Sequence, residues 1–295
     1  FPHTTLKLGN HKAPFSMDEV TTSRWATFME TSLVTDTFKP GRRLGFSVTH
    51  WENSYYFGTG IFGDDPTVKT QDDGSERFAW SARGAYRPYL SSDARRMVHV
   101  GANYLSLYPD RVDGNAFSYS SRPEAHFVDY KFVNTGDIEK VEKVSTWGLE
   151  AAGKWDKFYT QAEYLRSKVN TEAGAAKPNP EFSGWYAMVA YFLTDDERPY
   201  NLEDAEFGPV VPNGRWGGLE LALRYSVLDL NDIAAGVLGG EEKNITVGLN
   251  WYVNNNFILR GNYIRVNNDQ YANKKGKGVG NDDVNIYGMR AEYLF

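Results

Sequence analysis

The fold is decided by the stretch Val284-Asn285-Ile286-Tyr287-Gly288-Met289-Arg290-Ala291-Glu292-Tyr293-Leu294-Phe295. Every second residue belongs to an unbroken apolar and aromatic face, and the opposite face is mixed. Because side chains alternate with period two along a strand, this is a ribbon with one apolar side and one wet side. Aromatic residues gather at the lipid boundary of outer-membrane barrels, so the stretch predicts a membrane-facing strand. Its lipid-facing residues would be Tyr287, Met289, Tyr293 and Phe295.

Eleven further segments also read as strands, several with the same clean alternation. The predicted strands are at 3–9, 42–52, 54–63, 77–87, 97–107, 144–154, 157–168, 183–194, 216–228, 244–253, 257–267 and 284–295. Short polar turns alternate with longer polar stretches, as expected of an outer-membrane barrel with turns on one rim and loops on the other. The long stretches are 10–41, 64–76, 108–143, 169–182, 229–243 and 268–283, and one long connection, 195–215, falls on the turn side.

Strand length distinguishes this barrel from a soluble β-sandwich, whose strands also alternate. Sandwich strands are typically about 5–6 residues long, whereas a tilted membrane crossing needs roughly 9–11. The predicted segments mostly have the greater length. We therefore expect an all-β protein, a single transmembrane antiparallel β-barrel domain spanning residues 1–295.

Composition narrows the function classes further. The 295 residues include no cysteine, which excludes disulfides and thiolate metal sites, and no run of roughly 20 apolar residues that could form a membrane helix. The formal net charge of -6 argues against a nucleic-acid partner. No hydrolase, phosphate-loop or metalloprotease motif is present, and the five histidines are scattered. We expect no enzyme activity, no cofactor and no metal site.

One segment, 21–33, has helical rather than strand spacing. Trp25, Phe28, Met29 and Leu33 fall on one face, with threonine and serine as candidate N-caps. A short amphipathic helix is predicted there, either inside the lumen against the barrel wall or across the rim. The residues leave both positions open.

Charged side chains on the predicted inner faces are candidates for solute contact. Arginine favours phosphate and carboxylate oxygens, and rings of basic side chains select anions in pores. The predicted pore-wall residues are Arg83, Arg87, Arg224, Arg260, Arg290, Glu150, Glu220 and Glu292. The long loops add further charges of both signs in near balance, so residues alone leave the selectivity open.

From end to end, the chain resembles the phosphate-selective porin O/P family. The matching stretches are Leu6–Gly9 with 21–25, then 147–150, 161–166, 249–252 and 289–295. The resemblance implies a sixteen-stranded homotrimeric porin, and it aligns only with the later part of the family's sequence. We therefore expect about four amino-terminal strands to be missing. An inward-folded loop that narrows the pore is also implied, and it favours the lumen position for the predicted helix.

The family's basic constriction residues carry over only in part. Arg24 keeps a basic residue before the tryptophan and Arg122 keeps one arginine of a spaced basic run, whereas Glu19 stands in place of a characteristic lysine. Ser120 and Glu124 replace arginines that flank Arg122. The predicted constriction residues are Arg24, Arg122, Lys12 and Glu19.

The resemblance implies an outer-membrane porin in bacteria, embedded in lipid and passing small hydrophilic solutes by passive diffusion. Phosphate and other anions are the implied solutes. A general or cation-tolerant porin is the nearest alternative, given Glu19 and Glu124. A barrel enzyme and a soluble β-sandwich binding module are alternatives of other classes.

Overall fold

Twelve long strands make up most of this computed structural model, which describes residues 2–63, 76–109, 116–278 and 283–293. Four strands of two residues each lie in the connections: β6 (Ser120–Ser121), β7 (Val133–Asn134), β11 (Tyr200–Asn201) and β12 (Glu206–Phe207). The long strands are β1 (Thr4–Lys12), β2 (Arg42–Trp51), β3 (Tyr55–Phe62), β4 (Glu76–Leu90), β5 (Arg96–Pro109), β8 (Val141–Trp155), β9 (Phe158–Thr171), β10 (Glu181–Phe192), β13 (Gly218–Asp232), β14 (Val237–Tyr252), β15 (Phe257–Asn268) and β16 (Asp283–Tyr293). The helices are α1 (Met17–Val20), α2 (Leu33–Phe38) and α3 (Ala272–Gly276).

The twelve long strands form one antiparallel sheet in chain order, as the wall of an outer-membrane barrel requires. Each strand pairs with its predecessor, and in the described part of the chain β1 and β16 each have one neighbour. All twelve predicted strands are present. The prediction of a long loop at 229–243 is wrong, because β13 runs to Asp232 and β14 begins at Val237. These two strands extend beyond their predicted ends because the backbone hydrogen bonds between β13 and β14 continue through the polar residues there.

The two faces of the sheet differ as the alternation predicts. Aromatic pairs from neighbouring strands cross the outer face near the rim at which β1 ends and β2 begins, which we call the loop rim. Their ring centroids are 5.1–5.5 Å apart, in the pairs Trp80–Tyr104, Trp147–Tyr164, Trp185–Tyr225 and Tyr263–Tyr287. This row has the position of an aromatic girdle at the lipid boundary. Among the described residues, no helix is long and apolar enough to cross a membrane.

The interior is filled by connections that fold inward. Residues 13–41 carry Phe15, Met17 and Leu33, which are completely buried. Helix α2 packs against β9, β10 and β13, and it approaches closely where the wall has glycine. A Cβ atom on Gly184 of β10 would lie 2.9 Å from Val34 of α2. The inner wall is therefore shaped to receive this segment.

Candidate functional site

The connection between β1 and β2 is the inward-folded loop that the sequence predicts, but its helix is misplaced. Residues 21–32 are non-helical, and α1 and α2 flank them at Met17–Val20 and Leu33–Phe38. Phe28 and Met29 are buried inside the barrel, as expected for the lumen position. The prediction of a helix at 21–33 is thus wrong, and the prediction of a segment within the lumen holds.

Hydrogen bonds from the wall explain why 21–32 is not a helix. In a helix, each carbonyl group would accept a hydrogen bond from the amide four residues later. Here, side chains of the wall and of the connection after β10 compete for these carbonyl groups. Five carbonyl groups in this short stretch are bonded in this way. They are Arg24 to Arg260, Trp25 to Arg198, Thr27 to Asn250, Met29 to Arg290 and Glu30 to Arg224, at 2.7–3.1 Å.

Two carboxylates on the opposite wall hold the start of the inward segment. Glu150 and Glu163 accept the amide of Met17 at 3.1 Å each, and Glu163 also accepts the amide of Asp18 at 2.7 Å. Glu150 forms a fully buried ion pair with Arg83 at 2.9 Å. The wall charges are thus matched to each other and to the backbone of the segment.

The connection after β10 folds into the lumen from the other rim. Arg198 is buried and lies 3.5 Å from Glu220, which also accepts from the hydroxyls of Tyr159 and Tyr252 at 2.6 and 2.9 Å. Farther along this connection, the carbonyls of Asp204 and Ala205 accept from Arg83 at 2.8 and 2.7 Å. Sequence reasoning noticed only that 195–215 is unusually long for its rim.

The long connection between β5 and β8 covers the inward segment at the loop rim. Glu124 forms an ion pair with Arg224 at 2.8 Å and accepts the amide of Leu33 at 3.1 Å. His126 contacts Glu30 at 3.0 Å and Asp36 at 3.1 Å. These contacts, which we call the His126 clasp, join the covering loop to the carboxyl-terminal end of the non-helical stretch and to α2.

Among the cavities along the inward segment, two are lined by both lysine and arginine side chains. The first, of about 190 Å³, lies between β1–β3, the inward segment and the connection after β10; the second, of about 300 Å³, lies between the inward segment and the covering loop. Lys12 and Arg42 line both cavities. The Lys12 ammonium donates to the carbonyls of Glu19 and Thr21 at 2.5 and 3.0 Å. Within the described ranges, neither cation has a carboxylate partner.

Two carboxyl groups in these cavities have raised pKa values. Burial raises the pKa of Glu206 to about 8, with the neighbouring Asp204 acting in the same direction. Burial also raises the pKa of Glu19, against the opposing charges of Lys39 and Lys12. Glu206 is therefore biased towards the neutral form at pH 7, and burial disfavours the charged form of Glu19. Lys7 forms an ion pair with Asp204 at 3.2 Å. The positive charges of Lys12 and Arg42 are therefore less compensated by carboxylates than that of Lys7.

The family model for phosphate-selective porins O and P matches residues 1–295. The chain belongs to this family. Porin O of Pseudomonas aeruginosa is 27% identical over 333 residues, covering 100% of this chain and 71% of that protein. An uncharacterised protein of Caulobacter vibrioides is 30% identical over 302 residues, covering 98% of this chain and 59% of its own length.

Among solved structures, the outer-membrane OmpT of Vibrio cholerae has the same fold, with a TM-score of 0.56 at 13% identity. The likeness covers 99% of this chain and 77% of that one. The porin is therefore an outer-membrane β-barrel channel in a bacterial outer membrane. The lumen described above is its solute path.

The porin places the predicted wall residues inside, as alternation requires, and each of the predicted arginines except Arg87 is in an ion pair. Arg83 with Glu150 and Arg224 with Glu124 are described above, and Arg260 and Arg290 both contact Glu292. Arg87 donates to the carbonyls of Asn53 and Tyr55. These side chains hold the inward segments and the turn rim in place. Their contact with solutes stays a prediction.

The predicted constriction residues separate into two groups in the porin. Lys12 and Glu19 line the cavities, whereas Arg24 is exposed and lines neither of the two. Arg122 pairs with Asp129 at 3.0 Å in the covering loop, away from both. Their roles in solute contact stay predictions.

The last strand of the porin presents its aromatic face outward, as predicted. Tyr287, Met289 and Tyr293 are 76%, 89% and 69% exposed, on a strand at the edge of the sheet. Phe295, which completes that face in the sequence, lies outside the described residues. Lipid contact at these positions stays a prediction.

Several functional residues escaped sequence reasoning. Arg42 belongs to a balanced set of loop charges and nothing local separates it from Arg43, its buried neighbour in β2. Glu206 and Arg198 lie in the long connection 195–215 on the turn side, for which the sequence indicates no functional residue. The one available signal was the length of 195–215, which is excessive for the turn rim.

The His126 clasp makes the porin's stability depend on pH. Hydrogen bonds to Asp36 and Glu30 raise the pKa of His126 from 6.5 to about 9. Since the folded pKa is the higher, the stabilisation is complete below about pH 6.5 and is lost as the pH rises through about 9. We expect His126→Gln to lower the Tm at pH 7 and to leave it unchanged at pH 10.5, measured by calorimetry in detergent.

A matched control for the clasp is His50→Gln, because His50 bonds the hydroxyls of Thr4 and Tyr55 rather than carboxylates. Its effect on Tm should not vary between the two pH values. A His126→Gln effect of equal size at both pH values would contradict the clasp.

Proposed function

We propose that this porin is an anion-preferring diffusion channel whose solutes include inorganic phosphate. The solutes pass along the two cavities by electrodiffusion and contact Lys12 and Arg42. We also propose assembly as a homotrimer, on the basis of the family resemblance, which native mass spectrometry of the detergent-solubilised protein would test. A monomeric mass would overturn the assembly proposal without touching the selectivity.

The position of Lys12 and Arg42 in both cavities carries the proposal. A solute that moves between the cavities meets the same two cations on its path. Cations without a carboxylate partner attract anions and repel cations, whereas most arginines of the wall are already paired with carboxylates. In the described part of the chain, the positive charges of Lys12 and Arg42 thus lie along the proposed solute path without carboxylate partners.

The neutral bias of Glu19 and Glu206 supports an anion preference despite the acidic residues of the lumen. Glu19 occupies the place where the family has a lysine, and an ionised carboxylate there would oppose anion passage. Burial disfavours that charge. Asp18 also lines the second cavity, where its side chain accepts a hydrogen bond from the amide of Ser32 at 2.9 Å.

The zero-current potential in a KCl gradient across a planar bilayer tests the proposal. We expect a chloride-selective potential, and we expect millimolar inorganic phosphate to reduce the chloride conductance by competing for Lys12 and Arg42. A cation-selective potential would instead establish the cation-tolerant porin. A chloride-selective channel that phosphate does not block would be an anion channel without phosphate binding.

The anion preference should fall as the pH rises, because Glu206 gains its charge through about pH 8. The groups around Glu206 are Asp204, Arg83, Lys12 and Thr21. We expect the chloride-to-potassium permeability ratio to decrease between pH 6 and pH 9.5. In Glu206→Gln the permeability ratio should remain high and lose most of its dependence on pH. The dependence that remains should be the part due to the titration of His126.

Family members are channels, and we propose that this porin likewise has no enzymatic activity. Several carboxylates of the lumen are held by arginines and other donors, as Glu150 and Glu220 illustrate. A general acid or base must be free to reach a substrate proton. Turnover of ester or peptide substrates by the purified protein, abolished by a lumen variant, would establish an enzyme instead.

A further inference from the structure

A cluster of basic side chains projects from the outer wall beyond the aromatic girdle. On β9 the successive outward residues are Tyr164, Arg166 and Lys168, so the two cations follow the girdle directly. On the neighbouring β8, Ser145 pairs with Lys168. Lys143 projects from β8 two residues farther towards the loop rim. The side chains of Arg166 and Lys168 are both 47% exposed. We call Lys143, Arg166 and Lys168 the outer basic cluster.

Neighbouring groups hold the outer basic cluster in place. Glu181 of β10 contacts Arg166 and lies 3.0 Å from the Lys168 ammonium, so one carboxylate fixes two cations. The Lys143 ammonium is 6.0 and 5.5 Å from the ring centroids of Tyr104 and Tyr108, in cation–π contact. Three cations face one carboxylate on this part of the wall. The exposed Glu142, in the adjacent bulge, still leaves the cluster positive.

The positive surplus is local to β8 and β9. The corresponding outer positions on β13–β16 carry three carboxylates and two cations: Asp229, Glu241, Asp283, Lys243 and Arg265. Lys243 pairs with Glu241 at 2.5 Å, and Arg265 lies 3.6 Å from Asp283. Each cation of that patch therefore has its own carboxylate. The outer basic cluster differs from it in charge and not in height on the wall.

We propose that the outer basic cluster binds the phosphate groups of a phosphorylated glycolipid in the outer leaflet. Long loops of outer-membrane barrels face the exterior, so the loop rim meets the headgroups of that leaflet. Basic side chains in the headgroup region attract anionic lipid, and arginine can hold phosphate oxygens in a two-pronged contact. The girdle below, with Trp147 and Tyr164 in ring contact at 5.5 Å, would lie against the upper part of the acyl chains.

Native mass spectrometry of the full chain in detergent, titrated with bisphosphorylated lipid A, tests this proposal. Dephosphorylated lipid A and inorganic phosphate serve as the comparison ligands. We expect retention of the bisphosphorylated lipid only, because free phosphate lacks the acyl chains that would lie against the girdle. In Lys143→Gln/Arg166→Gln/Lys168→Gln the affinity should fall on the order of 100-fold, since each basic side chain at an anionic lipid surface contributes roughly fivefold.

Lys243→Gln/Arg265→Gln is the matched control, at the same height on the wall and with the same two types of replacement. It should bind lipid as the parent protein does, and heat-modifiable gel mobility should show that both variants are folded. Equal retention of the dephosphorylated lipid, or undiminished binding by the triple variant, would overturn the proposal. So would loss of a protein–protein assembly in the triple variant with unchanged lipid binding, because the cluster would then be a contact between copies of this chain.

Discussion

Replacement of Glu220 by leucine is expected to destabilise the porin by about 3–5 kcal/mol, the range for removing one partner of a buried ion pair. Arg198 would remain buried without its carboxylate, and the hydroxyls of Tyr159 and Tyr252 would lose their acceptor. Since Arg198 also donates to the carbonyl of Trp25 at 2.7 Å, the inward segment would loosen as well. The midpoint of urea unfolding, followed by tryptophan fluorescence in detergent, measures the effect.

The same replacement should raise the single-channel conductance and its open-state noise, because the connection after β10 is no longer held in the lumen. Glu220→Gln keeps a hydrogen-bond acceptor and should have a smaller effect on both measurements. Glu52→Leu is the matched control, since its carboxylate is 45% exposed and pairs with His3. An unfolding midpoint equal to that of the parent would show that the Arg198 network is not the attachment of this connection.

Reversal of charge at the two shared cavity cations should convert the channel from anion to cation preference. Each unit charge about 4 Å from an ion contributes roughly 1 kcal/mol even in water. Lys12→Glu/Arg42→Glu changes two such charges from positive to negative, so the chloride-to-potassium permeability ratio should fall roughly tenfold or more. The zero-current potential in a KCl gradient gives this ratio. The shift should be smaller at 1 M salt, where screening is stronger.

The alternative assignment of the constriction, from the sequence, gives the control for this reversal. Arg24→Glu alters a residue that lines neither cavity, and Arg122→Glu alters one already paired with Asp129. We expect both to change the permeability ratio far less than the Lys12/Arg42 reversal. A larger effect of Arg24→Glu or Arg122→Glu than of the Lys12/Arg42 reversal would show that selectivity depends on the residues that the sequence indicates.

Most of the wall could be predicted from the sequence because its signal is local. The alternation in 77–87 already places Arg83 and Arg87 inside and Trp80 outside, and the structure keeps that arrangement. Periodicity within ten residues is sufficient for a strand that faces lipid on one side and the lumen on the other. Strand ends were missed at 229–243, where polar residues continue the ladder.

The inward segment shows where local signals fail. Trp25, Phe28, Met29 and Leu33 have helical spacing, yet the carbonyls of 24–30 are taken by side chains from the wall and from the connection after β10. Arg290 reaches the carbonyl of Met29 across 261 positions of sequence. No pattern within 21–33 contains that competitor, so the helix prediction could not anticipate it.

By itself, the sequence determined the barrel wall, the face of each strand and the membership in a porin family, because these depend on alternation and short motifs along one stretch of chain. The tertiary structure alone decided which charges are available to solutes. Arg198 and Arg224 are paired with carboxylates 22 and 100 positions away in the chain, whereas Lys12 and Arg42 have no such partner among the described residues. The same packing buries Glu19 and Glu206 and raises the pKa of each. Charge pairing and desolvation are set by distances in space, which residue spacing does not contain.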